Sequence, residues 1–107
     1  MFMGVTRTDL FSDEFNHIAI VAKSISHPAR IAIIKHLLRV KHCINRDMVR
    51  ETGLSQPAVS QHLNALKNSG IIQGEIQKNT IIYRIDPTGW KRVTSLLKNL
   101  FEENPHS

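Results

Sequence analysis

Gln56, Ser60, Gln61 and Asn64 crowd into one short run, Leu-Ser-Gln-Pro-Ala-Val-Ser-Gln-His-Leu-Asn, beginning at Leu54. Their amides and hydroxyls both donate and accept hydrogen bonds. An ordinary solvated helix face is built more often from Glu and Lys, which form helix well. A face of this kind is equipped to read the edges of another polar molecule. Gln can bond adenine bidentately, and small Ser and Ala allow close approach in a major groove. The candidate contacts are Gln56, Ala58, Ser60, Gln61 and Asn64. His62 sits at the edge of the apolar stripe beside them, where it either packs or meets a phosphate.

The other side chains with reactive chemistry are His17, His27, His36, His42, His62 and His106, together with Cys43. No two histidines stand four apart on one helix, the spacing that makes a compelling zinc pair. His42 and Cys43 are adjacent and point different ways on regular structure. With His17 they make the one assembly that can be defended, and it is weak and incomplete. No metal site and no cofactor are expected. There is no Gly-rich phosphate loop and no nucleophile motif. Ser55 and Ser60 near His62 are accounted for by capping and by DNA contact, so catalysis is not expected.

The chain has 107 residues, enough for a single domain spanning 1–107. Its formal net charge is +5, which suits a polyanionic partner. From Lys23 to Lys67 the acids are only Asp47 and Glu51, against Lys23, Arg30, Lys35, Arg39, Lys41, Arg46, Arg50 and Lys67. The single cysteine excludes an internal disulfide and fits a reducing cytoplasm. The start, Met-Phe-Met-Gly-Val-Thr-Arg, lacks a basic region before a long apolar run, and no stretch approaches a membrane span.

The elements that must position these side chains follow from periodicity. Residues 9–25 show a helical stripe of Phe11, Phe15, Ile18, Ala22 and Ile25, widened by Ile20 and Val21. Ser26 or His27 caps a second helix from Pro28 to about Val40, with Ile31, Ile34, Leu37 and Leu38 inward. A short helix follows Asn45 and stops at Gly53. Ser55 caps the next, over 55–69, whose narrow stripe is Val59, Leu63 and Leu66 and which Gly70 ends. Two apolar-rich arms over 73–84 read as a hairpin with Lys78 and Asn79 at its tip. Asp86 and Pro87 open a last helix with Trp90, Val93, Leu97 and Leu100 on one face and Leu96 and Phe101 beside it. The predicted fold is mainly α with a small β-hairpin wing: a winged helix-turn-helix of five helices and one hairpin.

Three stretches, Ser26–Leu37, Thr52–Ile72 and the wing ending Ile81-Ile82-Tyr83-Arg84-Ile85-Asp86, together resemble the ArsR (ArsR/SmtB) family of bacterial transcriptional repressors. The resemblance covers about residues 15–100. It implies a homodimer joined through the first and last helices that binds an imperfect palindrome in double-stranded DNA and is released by a signal, here an unknown effector. It tips His62 toward a DNA-proximal role. The wing tip, Lys78, Asn79 and Thr80, is either an ordinary polar turn or, following the reading helix, a contact to the DNA backbone or minor groove, the reading favoured here. Phe11, Phe15, Ile18, Trp90, Val93, Leu97, Leu100 and Phe101 then form the dimer interface. Metal-sensing members carry a Cys-x-Cys pair at the start of the third helix, where this chain has Cys43 alone, or acid and histidine ligands on the last helix, which begins Trp90-Lys91-Arg92-Val93. The alternatives are a winged-helix protein-interaction module and a metal- or thiol-responsive sensor of the same family.

Overall fold

The computed structural model describes residues 8–105; His106 and the first seven residues lie outside them. A short 3-10 turn, Thr8–Leu10, precedes α1 (Asp13–Ser24), α2 (Pro28–Arg39), α3 (Asn45–Thr52) and α4 (Gln56–Asn68). The hairpin β1 (Ile72–Gln77) and β2 (Thr80–Ile85) follows, then α5 (Pro87–Phe101). The five helices and one antiparallel hairpin are those read from the sequence.

Local chemistry sets most boundaries. The Ser55 hydroxyl accepts from the Ala58 amide at 3.3 Å and caps α4. At the other end Gly70 turns left-handed, φ +83°, and Ile71 N–H reaches back to the Leu66 carbonyl at 3.1 Å. Gly53 is also left-handed, at φ +74°, and closes α3 with its own N–H on the Val49 carbonyl at 2.9 Å. Asp86 Oδ1 accepts from Gly89 N–H at 3.1 Å and opens α5. The first helix begins later than its stripe predicts. Ser12 is extended and accepts from Phe15 N–H at 3.1 Å, so the chain breaks there and Phe11 stands outside α1.

Helices α2, α3 and α4 enclose a core with the wing's first residues. Ile33, Met48, Leu63, Leu66, Ile71 and Ile72 are fully buried within it. Each such side chain contributes about 1.5–3 kcal/mol on leaving water. The inward face of α2 differs from the expected one. Ile33, Ile34 and Leu37 are buried, whereas Ile31 and Leu38 are exposed. That helix is apolar on several sides, so its period does not select a single face. On α1 the buried positions are Val21 and Ser24, with Ile25 packed against the core, while Ala22 and Ile20 face out.

The wing is a six-rung ladder from Ile72↔Ile85 to Gln77↔Thr80. Cys43 adds a piece of third strand, exchanging both backbone hydrogen bonds with Tyr83 at 3.0 and 2.8 Å. This anchor between the α2–α3 connection and the wing was not visible in the sequence. Across the ladder Arg84 of β2 pairs with Glu75 of β1 at 2.9 Å. Among the described residues no helix is long and apolar enough to cross a membrane.

Candidate nucleic-acid interface

The packing of Val59, Leu63 and Leu66 fixes the rotation of α4, and with it which residues face out. Gln56, Gln61 and Asn64 are exposed; Ala58, Ser60 and His62 are half-buried. Lys78, Asn79 and Thr80 are all exposed at the wing tip. Lys78 takes φ +57°, the left-handed region, although Asn79 is the residue better suited to it. A cleft of about 260 Å³ brings Gln56 and Ser60 of α4 to Asn79 and Thr80 of the wing.

Two residues of that cleft were missed by sequence reasoning. Asn45 donates from Nδ2 to the Ser60 hydroxyl at 2.9 Å, and Gln56 Nε2 reaches the same oxygen at 3.4 Å. Ser60 is thereby fixed by α3 as well as by its own helix. Arg46, exposed on the first turn of α3, also lines the cleft and has no ion-pair partner among the described residues. The signal for Asn45 is a polar amide opening the first helix of the pair, but its partner Ser60 stands 15 residues on and is set by the docking of α3 on α4.

His62 is turned toward α2. Its Nδ1 accepts from Arg30 Nε–H at 3.1 Å, and its ring lies 4.5 Å from that of His27. Burial first, then His27 and Arg30, hold its pKa below the usual histidine value. Of the two readings left open for His62, the geometry shows packing on one edge; the ring remains half-buried on the flank of α4.

The end helices carry the other candidate surface. A groove of about 360 Å³ runs between α1 and α5, lined by Phe15, Ile18, Ala19, Leu96 and Leu100 with Glu14, Asn99 and Glu103. Phe11, Phe15, Leu100 and Phe101 are 55, 61, 43 and 74% exposed. Ile18, Trp90 and Leu97 are half-buried. Val93, grouped with them in the sequence, is 3% exposed and belongs to the chain's own core, so its apolar area is already covered within one chain.

Metal chemistry finds no cluster: among the described residues no three His, Cys, Asp or Glu side chains converge, so His17, His42 and Cys43 are not assembled. Cys43 is buried, and burial with the nearby Asp47 carboxylate pushes its thiol up to about 11. A thiol held protonated is a poor metal ligand and a poor nucleophile.

Residues 27–73 match the family described as bacterial regulatory protein, arsR family. The HTH-type transcriptional regulator YgaV of Escherichia coli K12 is 31% identical over 83 residues, 78% of this chain and 84% of that one. The biofilm growth-associated repressor of Xylella fastidiosa is 27% identical over 97 residues, 91% of this chain and 83% of its own. Among solved structures, a homodimeric winged helix-turn-helix DNA-binding domain from Mycobacterium bovis superposes with a TM-score of 0.69. The superposition spans 99% of this chain and all of that one at 20% identity, a likeness of fold.

Proposed function

The chain belongs to the ArsR family of bacterial regulatory proteins, and from that membership we propose that it is a homodimeric transcriptional repressor of the cytoplasm. It reads a palindromic operator through α4 and grips the duplex with the wing. The observation that carries this is the shared cleft in which exposed Gln56 and half-buried Ser60 of α4 meet Asn79 and Thr80 of the wing tip. One element reads base edges while the other is placed to hold the backbone. Gln61 and Asn64, outward on the same helix, extend the reading face.

The exposed aromatics of α1 and α5 support the dimer, since phenylalanines left in water favour association. Two copies of α4 then enter successive major grooves about 34 Å apart. Occupancy of a promoter blocks transcription without any catalytic step, and no cofactor is assigned.

Selection of bound sites from random duplex DNA tests the reading. A recovered palindrome is the expected result. Gln61→Ala should cost about 1–3 kcal/mol at that sequence and less on random DNA. A wild-type protein that retains no duplex sinks the reading in favour of a protein-interaction module.

A further inference from the structure

On α4, Ser60 and His62 lie about 200° apart around the helix. Ser60 faces the wing cleft and His62 faces the corner where α1 ends and α2 begins. That corner holds Lys23 at the end of α1, His27 capping α2, and Arg30 one turn on. Beside it opens a cleft of about 460 Å³, lined by Lys23, Arg30, Ala65 and Asn68 among others. Neither Lys23 nor Arg30 is in an ion pair among the described residues. Arg30 spends Nε on His62 Nδ1 and Nη1 on the Ser24 carbonyl at 3.1 Å, leaving Nη2 unclaimed.

The histidines are constrained in the same direction. His27 Nδ1 accepts from Ala29 N–H at 3.0 Å and His62 Nδ1 accepts from Arg30. A neutral imidazole accepting at Nδ1 carries its proton on Nε2 and donates there. Their Nε2 atoms are therefore N–H groups, unable to ligate a metal and suited to an anionic oxygen.

We propose that Lys23, His27, Arg30 and His62 form a second backbone clamp, taking a DNA phosphodiester on the flank of α4 opposite the wing. The recognition helix is then held in its groove from both sides. The inference rests on the DNA-binding reading above.

The test is duplex affinity as a function of salt for the full chain, using random-sequence duplex. Lys23→Gln should weaken binding and flatten the log–log slope by about 0.9 for each lysine that meets a phosphate. His27→Asn keeps a capping side chain but withdraws the Nε2–H, and should weaken binding severalfold with the slope nearly unchanged. Circular dichroism confirms that both variants fold. Lys78→Ala on the wing is the comparison. If it weakens binding while both corner variants match wild type in affinity and slope, the clamp is wrong and DNA binding stands. Inorganic phosphate alone, saturating this corner by NMR while duplex affinity ignores Lys23→Gln, also overturns the clamp, in favour of a small-anion site. Wild-type protein that binds no duplex removes the DNA reading and the clamp together.

Discussion

Gly89, in the first turn of α5, lies directly on the backbone of Gly70, which closes α4: a Cβ at position 89 would collide with the Gly70 carbonyl oxygen. The Asp86 amide donates to the Ile71 carbonyl at 3.0 Å alongside. The last helix and the recognition helix thus meet backbone to backbone. Gly89→Ala should destabilise the fold by about 1–3 kcal/mol, the usual cost of overpacking, despite the better helix propensity of alanine. Urea unfolding checks this; an unchanged or higher midpoint means the contact relaxes freely.

Lys78 holds a left-handed backbone that costs an L-residue about 1–2 kcal/mol. Lys78→Gly should leave stability unchanged or raise it by up to about 1 kcal/mol, because glycine relieves the strain but frees the unfolded chain. Binding to every duplex should weaken together, with a shallower salt dependence. Stability that falls along with affinity would show that the lysine serves the turn rather than the DNA.

Phe15 and Val93 should separate association from folding. Phe15 is 61% exposed in the single chain, so Phe15→Glu should give a folded monomer. Val93 is 3% exposed, so Val93→Glu buries an unpaired charge and should unfold the chain. Light scattering with circular dichroism reads both. A Phe15→Glu protein that stays dimeric rules out the α1–α5 face as the interface.

His62 should make stability depend on pH. Its Nδ1 is committed to accepting from Arg30, with His27 against its ring, so protonation is disfavoured in the fold. The unfolded state, with the ordinary histidine value of 6.5, then takes up its proton before the folded state does as pH falls. Stability is full above that value and declines as pH drops through the lower folded pKa. Denaturant midpoints at pH 7.5 and 5.5, compared with those of His62→Gln, should show the smaller pH effect in the variant. Equal slopes would assign the dependence to other groups.

Cys43 should resist thiol reagents. Its thiol is buried and held at about 11, so little thiolate exists near neutral pH. Native protein should react with a disulfide reagent at pH 8 far more slowly than protein in denaturant. Rapid native labelling would reopen the thiol-sensor alternative. Above pH 9 the unfolded thiol ionises first, so stability should decline from there as pH rises toward 11.

Sequence by itself determined the elements and their order. Ser55, Asp86, Gly53 and Gly70 mark helix ends through bonds and backbone conformations local to a few residues, and Val59, Leu63 and Leu66 keep a clean helical period. Local interactions of this kind are legible in a string. Tertiary structure alone decided which way ambiguous helices turn and which polar groups meet. Several sides of α2 are apolar, so only packing against α3 and α4 chose Ile33 over Ile31. The partners Arg30–His62, Asn45–Ser60 and Cys43–Tyr83 lie 32, 15 and 40 residues apart. No periodicity encodes such pairings, because they form only when helices dock at one angle and bring distant residues within hydrogen-bond reach.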